Sequence, residues 1–141
     1  MNKDIILKNS GGSVSPREYS PLALAFIGDA AYELYIRTRV LSEANASANT
    51  LHKRCVGFVN CRAQCDAVTA FSERLTEDEL AVYKRGRNAK TPTVPKNAGV
   101  GEYHAATGFE ALIGWLYLSG AEERACEIMD FVYNFIVTKG C

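Results

Sequence analysis

The stretch Ser20 to Leu41, SPLALAFIGDAAYELYIRTRVL, constrains this chain more than any other. Ser20 is suited to cap a first helical turn through its hydroxyl, and Pro21 at the first helical position loses nothing by lacking an N–H. From Leu22 to Ile36 the apolar residues Leu22, Leu24, Phe26, Ile27, Tyr32, Leu34, Tyr35 and Ile36 recur nearly all the way round a helix. A helix apolar on every side is predicted to lie at the centre of a core. Asp29 interrupts it, directly after Gly28. An unpaired carboxylate is costly to bury, so Asp29 requires a cation, a network of donors or a water-filled cleft.

The remaining pattern is helical as well. Thr50 is placed to cap a second helix over about Leu51 to Phe71, where Leu51, Cys55, Phe58, Val59, Ala63, Ala67, Val68 and Phe71 recur at helical spacing. Thr76 with Glu79 forms a capping box for a third helix, about Glu77 to Gly86. Lys84 to Gly101, with its prolines and glycines, reads as a loop. A fourth helix is predicted over about Glu102 to Ser119, ended by Gly120 in the left-handed conformation, and a fifth over about Ala121 to Thr138. No strand alternation interrupts this series. The prediction is an all-α fold of about five helices, one domain over residues 20–141 behind a flexible, Gly- and Ser-rich segment 1–19.

A chain of 141 residues, 48% of them hydrophobic, suits a single core. Its formal net charge is zero, so any case for a nucleic-acid partner must rest on local clustering. No apolar run reaches membrane-spanning length, and Ile5, Ile6 and Leu7 are too short a run for a secretory signal. The five cysteines are an odd number without a leader, which predicts reduced thiols in the cytoplasm. His52, Cys55, Cys61 and Cys65 lack the paired short spacings of a structural zinc site and read as small core thiols.

Residues four apart share a helical face, and Ala25, Asp29, Glu33 and Arg37 form one such line, with Glu33 and Arg37 as an ordinary ion pair. The anomaly of Asp29 repeats in ATGFEALIGWLYL, where Glu110 stands among Phe109, Ala111, Leu112, Ile113, Trp115 and Leu116, on a face with Tyr103, Thr107 and Gly114. Gly28 and Gly114 would let the two backbones approach closely. Two acids embedded in apolar helices would repel if they met, unless a divalent ion lay between them, and carboxylate oxygens with several waters suit Mg2+. The alternative is two unrelated acids, each satisfied by its own Arg, Lys or hydroxyl partner. The acid-free stretch Lys84 to Lys96 adds Lys84, Arg85, Arg87, Lys90 and Lys96, with Asn88, Thr91, Thr93 and Asn97 as neutral donors. It is either a solvated basic loop or a phosphate-binding one whose glycines let the backbone approach a phosphate ridge.

These residues carry a resemblance. FIGDA at Phe26–Ala30 followed by FEALIG at Phe109–Gly114 resembles the catalytic domain of the ribonuclease III family, and KRGRNAK at Lys84–Lys90 with PKN at Pro95–Asn97 resembles its short bacterial branch, Mini-ribonuclease III, which lacks a double-stranded-RNA-binding domain. The resemblance spans about Tyr19 to Ile136. It implies a ribonuclease III endonuclease-like helical fold, with Asp29 and Glu110 as the catalytic, metal-binding acids. It also implies cofactor Mg2+, with Mn2+ as its substitute. The activity implied is endonucleolytic cleavage of double-stranded RNA to 5′-phosphate and 3′-hydroxyl ends, in maturation of the 23S ribosomal RNA precursor. The partners implied are a homodimer, for which Phe26 and Tyr35 are interface candidates, and the RNA, held by Lys84, Arg85, Arg87, Asn88, Lys90, Lys96 and Asn97; a ribosomal protein is a further candidate. Ala25 and Thr107 stand where the wider family has carboxylates, which implies fewer protein ligands for metal. They also keep two other readings open, an RNA-binding module without catalysis and a helical interaction protein.

Overall fold

Among residues 15–90 and 99–139, which the computed structural model describes, every regular element is a helix. α1 spans Pro21–Glu43, α2 Ala48–Val56, α3 Cys61–Phe71, α4 Glu77–Arg87, α5 Val100–Leu118 and α6 Glu122–Thr138, with 3-10 turns at Pro16–Glu18 and Ser72–Arg74. The all-α expectation holds. Among the described residues no helix is long and apolar enough to cross a membrane.

The axis of the molecule is α5 rather than α1. α1, α3, α4 and α6 all pack on it. From Ala105 to Leu116 only Glu110 and Trp115 are less than buried. Tyr32 and Ile36 of α1, Phe109, Leu112 and Ile113 of α5, and Ile128, Val132 and Ile136 of α6 form the centre of the core. α1 buries one side only, through Leu24, Ala25, Gly28, Ala31, Tyr32, Ile36 and Val40. Its other side leaves Leu22, Leu34 and Leu41 exposed, and Phe26 is 81% exposed. An apolar circumference therefore marks a half-covered helix here, and Asp29 lies on the exposed part of it.

The predicted caps are present. Ser20 accepts from the Ala23 N–H at 3.1 Å. Thr76 and Glu79 close the capping box of α4. Gly120 adopts φ 78° after α5, a conformation that glycine reaches without steric cost. One predicted helix, Leu51 to Phe71, is instead two. Ser47, not Thr50, caps α2. The chain then turns at Gly57, and Asn60 Oδ1 accepts from the Arg62 and Ala63 N–H groups at 2.8 and 3.2 Å to start α3. The break lets Phe58 turn inward to stack on Tyr133 at 4.5 Å, while its carbonyl accepts from the Tyr32 hydroxyl at 2.7 Å. Apolar periodicity runs across such a break because it does not register where donors are satisfied by a side chain.

Candidate active site

Asp29 and Glu110 are brought together where α1 crosses α5. The crossing has no side chains between its backbones. A Cβ placed at Gly28 would stand 1.7 Å from the carbonyl oxygen of Glu110, and one at Gly114 would stand 2.0 Å from that of Leu24. Only glycine at both positions allows this approach, as the sequence suggested, and it sets Asp29, the next residue after Gly28, beside Glu110.

The two acids differ in surroundings. Asp29 is exposed, contrary to its predicted burial, because among the described residues no element covers the outer side of α1. Glu110 is half-buried. Burial first, then hydrogen bonding to the Asp29 carboxyl and its charge, push the Glu110 carboxyl up to about 9. Glu110 therefore favours its protonated form at neutral pH, as a carboxyl that is half-buried beside a second carboxyl without a cation does. The charge of Glu110 also reaches Tyr32 and Cys61. The Tyr32 hydroxyl is raised first by burial, then by Tyr35 and Glu110. The Cys61 thiol is raised by burial, then by Glu110 and Glu102. Cys61 thus lies within reach of the Glu110 charge, which reading the sequence missed because the α3 start was not recognised.

The donor set fits a hard divalent ion: two carboxylates side by side, one open to solvent and the other holding a proton that a cation would displace. The two departures noted in the sequence contribute nothing further. Ala25 is buried against Val82 and Ala111. Thr107 is buried, and its hydroxyl donates back to the Tyr103 carbonyl at 3.1 Å. Among the described residues no three of His, Cys, Asp and Glu form a metal-holding group, so the pair stands alone. Cys55 is a buried thiol, and Cys61, Cys65 and Cys126 are half-buried free thiols.

The basic residues are arranged differently from their prediction. Lys84, Arg85 and Arg87 form the last turn of α4 rather than a loop, and Val100 and Gly101 begin α5. A cationic last turn complements the helix dipole and extends the helix past the predicted end. Lys84, Arg85, Asn88 and Lys90 are exposed. Arg87 is half-buried, with its guanidinium 5.7 Å from the Tyr83 ring centre and its Nε donating to Asn88 Oδ1 at 3.3 Å. Among the described residues the ion pairs engage Arg17, Arg37, Arg39 and Arg124, leaving the end of α4 unneutralised. Gly86, expected to open a loop backbone to phosphate, is buried against α5 instead. Thr91, Thr93, Lys96 and Asn97 lie outside the described residues.

Comparison with known proteins agrees with this geometry. The ribonuclease III domain matches residues 22–121. The Mini-ribonuclease 3 of Thermoanaerobacter sp. (strain X514) is 49% identical over 117 residues, covering 83% of this chain and 82% of the relative. That of Clostridium tetani is 45% identical over 119 residues, covering 84% and 79%. A crystal structure of a Fusobacterium nucleatum protein superposes with a TM-score of 0.77 at 38% identity, covering 91% of this chain and 98% of that one.

Proposed function

The chain belongs to the ribonuclease III family of endoribonucleases, and on that premise we propose that it cleaves double-stranded RNA with Mg2+ bound by Asp29 and Glu110. The single observation that carries this reading is the glycine crossing of α1 and α5, which sets the carboxyls of Asp29 and Glu110 side by side. Such a pair is poised to exchange the Glu110 proton for a divalent ion, Mg2+ or Mn2+. When bound, the ion supplies activation of a water and stabilisation of charge on the phosphate and leaving oxygen. Asp29, open to solvent, reaches toward the incoming phosphodiester. Glu110 is held from below by α5, whose Phe109 packs edge-on against Tyr32 at 5.0 Å. Lys84, Arg85, Asn88 and Lys90 grip the phosphate ridge, with Arg87 beside them and Lys96 and Asn97 as further RNA contacts. A-form RNA is read mainly through its shape, phosphates and 2′-hydroxyls, which suits a basic helix end without base-reading groups. Hydrolysis leaves 5′-phosphate and 3′-hydroxyl ends.

The substrate we assign is the stem of the 23S ribosomal RNA precursor, cut in the cytoplasm by residues 20–141 acting as one catalytic domain, with a ribosomal protein as a candidate accessory. Two copies related by a two-fold axis would present two sites to the two strands. The exposed stripe of Leu22, Phe26, Ala30 and Leu34 on α1 supports such a homodimer. Of the two side chains first considered for that interface, Tyr35 is engaged within the chain, bonded to Asp130 and Arg39, which leaves Phe26.

The test is a gel of a structured ribosomal RNA precursor incubated with the wild type, Asp29→Asn and Glu110→Gln, with and without Mg2+. The wild type should cut only with the ion. Each variant should lose about 10²-fold or more in rate, while RNA binding without metal stays intact. A variant that cuts at the wild-type rate shows its carboxylate to be structural and the metal assignment wrong. Binding without any cleavage by the wild type would favour the non-catalytic RNA-binding reading.

A further inference from the structure

α5 is approached without side chains on a second side. Gly86, within the basic end of α4, faces the turn of α5 that carries Glu110. A Cβ at Gly86 would lie 2.7 Å from the Ala111 Cβ, 2.9 Å from the Gly108 Cα and 3.2 Å from the Thr107 carbonyl oxygen. Gly108 returns the contact, since a Cβ there would lie 2.7 Å from the Tyr83 carbonyl oxygen and 2.9 Å from its ring. Thr107, Gly108 and Ala111 bracket Glu110 in sequence, while Lys84, Arg85 and Arg87 bracket Gly86. The phosphate-gripping end of α4 and the carboxylate pair are therefore joined by one contact of two backbones, with no flexible group between them. The Gly28–Gly114 crossing on the other side of α5 places Asp29 against Glu110. The Gly86–Gly108 crossing places the grip against both.

We infer that Gly86 is a positioning residue for cleavage: its missing side chain sets the distance between the RNA-gripping end of α4 and the carboxylates, and with it the alignment of the scissile phosphate. The inference rests on the function proposed above. It separates two roles that both glycine crossings would share if they were only packing. Disturbing Gly86 should leave the carboxylates together and the cations on their helix, and move one set relative to the other. Carbon atoms in contact lie about 3.5–4.0 Å apart, so a methyl group at Gly86 pushes α4 off α5 by about 1 Å. A displacement of that size between a bound substrate and its reacting groups costs roughly 10²-fold in rate.

The experiment compares wild type, Gly86→Ala and the swap Gly86→Ala with Ala111→Gly, in the full chain. Three quantities are read: single-turnover cleavage of an RNA duplex in Mg2+, RNA affinity without metal, and the rise in Tm on adding Mg2+. Gly86→Ala should lose roughly 10²-fold in single-turnover rate while RNA affinity and the Mg2+-dependent rise in Tm remain those of the wild type. The swap removes the contact with the Ala111 Cβ and leaves that with the Gly108 Cα at 2.9 Å, so it should recover part of the rate. The swap keeps the number of glycines inside helices, so backbone entropy does not separate it from the wild type. A rate that falls while RNA affinity and the Mg2+-dependent rise in Tm hold is a result that mere packing does not produce. The inference is overturned if Gly86→Ala cuts at the wild-type rate, if the swap recovers nothing, if RNA affinity or the Mg2+-dependent rise in Tm falls along with the rate, or if neither variant folds. Asp29→Asn and Glu110→Gln, run alongside, separate the two readings. If they remain active the proposed function has failed. If they are inactive while Gly86→Ala is unimpaired, only the role of Gly86 has.

Discussion

Glu110 keeps a proton that an ordinary glutamate loses near pH 4.5, holding it up to about 9. The sign of the consequence follows from linkage. Without metal, the folded protein binds one more proton than the unfolded chain between those two values, so stability is fullest below about pH 4.5 and is lost as pH rises toward about 9. The slope is at most about 1.4 kcal/mol per pH unit from this one group. Glu110→Gln cannot release the proton, so chemical denaturation with a chelator present should show a flatter pH dependence between about pH 5 and 9 for that variant. Identical slopes would mean that Glu110 is not the group that titrates. Mg2+ competes with the same proton, so its stabilising effect on the wild type should grow with pH over this range.

At the scale of the element, α4 is held at one end and left charged at the other. At its start Glu79, buried, closes the capping box and receives Arg124 of α6 on both oxygens at 2.8 and 2.9 Å. Arg124 also donates to the Arg74 carbonyl at 2.8 Å, so its guanidinium ties the start of α4 to the turn before it. The Glu79 carboxyl is accordingly held below its ordinary value, first by Arg124. Among the described residues no ion pair engages the cations of the far end, as the proposed phosphate contacts require. Replacing Arg85 and Arg87 with Ala should weaken RNA binding to a similar degree for unrelated duplex sequences. The slope of log affinity against log salt should fall by about one for each phosphate contact removed. A titration series showing the same affinity and the same salt slope as wild type would return this helix end to a solvated charge cluster. Arg87 stands beside Tyr83, so Arg85→Ala alone is the cleaner probe of charge without packing.

For the whole molecule, the informative surface is the uncovered side of α1. Leu22, Phe26, Ala30 and Leu34 recur every four residues on it, and all are exposed. A large aromatic ring left 81% exposed in such a stripe is suited to a partner surface, and a second copy would bury it twice by symmetry. Burying a Phe side chain is worth about 1.5–3 kcal/mol. Phe26→Ala, counted in both protomers, should therefore weaken dimerisation by roughly 10²- to 10⁴-fold. Sedimentation at micromolar concentration should show a dimer for the wild type and dissociation for the variant. Monomer only, in a preparation of wild type that cleaves RNA, would rule the dimer out.

The sequence by itself determined what depends on neighbours along the chain. Ser20, Thr76, Glu79 and Gly120 mark helix ends through bonds made within a few residues, and those ends were legible. Asp29 and Glu110 were legible because a carboxylate in an apolar helix conflicts with its own surroundings. Gly28 and Gly114 were legible because a small residue beside each acid invites close approach. The tertiary structure decided which side of each helix is covered. Periodicity reports that residues are apolar, not that another element faces them, so α1 was read as central when α5 is. Asp29 was read as buried for the same reason. It decided also that Gly86 serves a contact between helices, since glycine in a basic, proline-flanked stretch looks the same whether it frees a loop or admits a neighbouring backbone. The nearness of Cys61 to Glu110 is of this kind too. It comes from the packing of α3 on α5, a contact between residues far apart in the chain, and no local pattern encodes it.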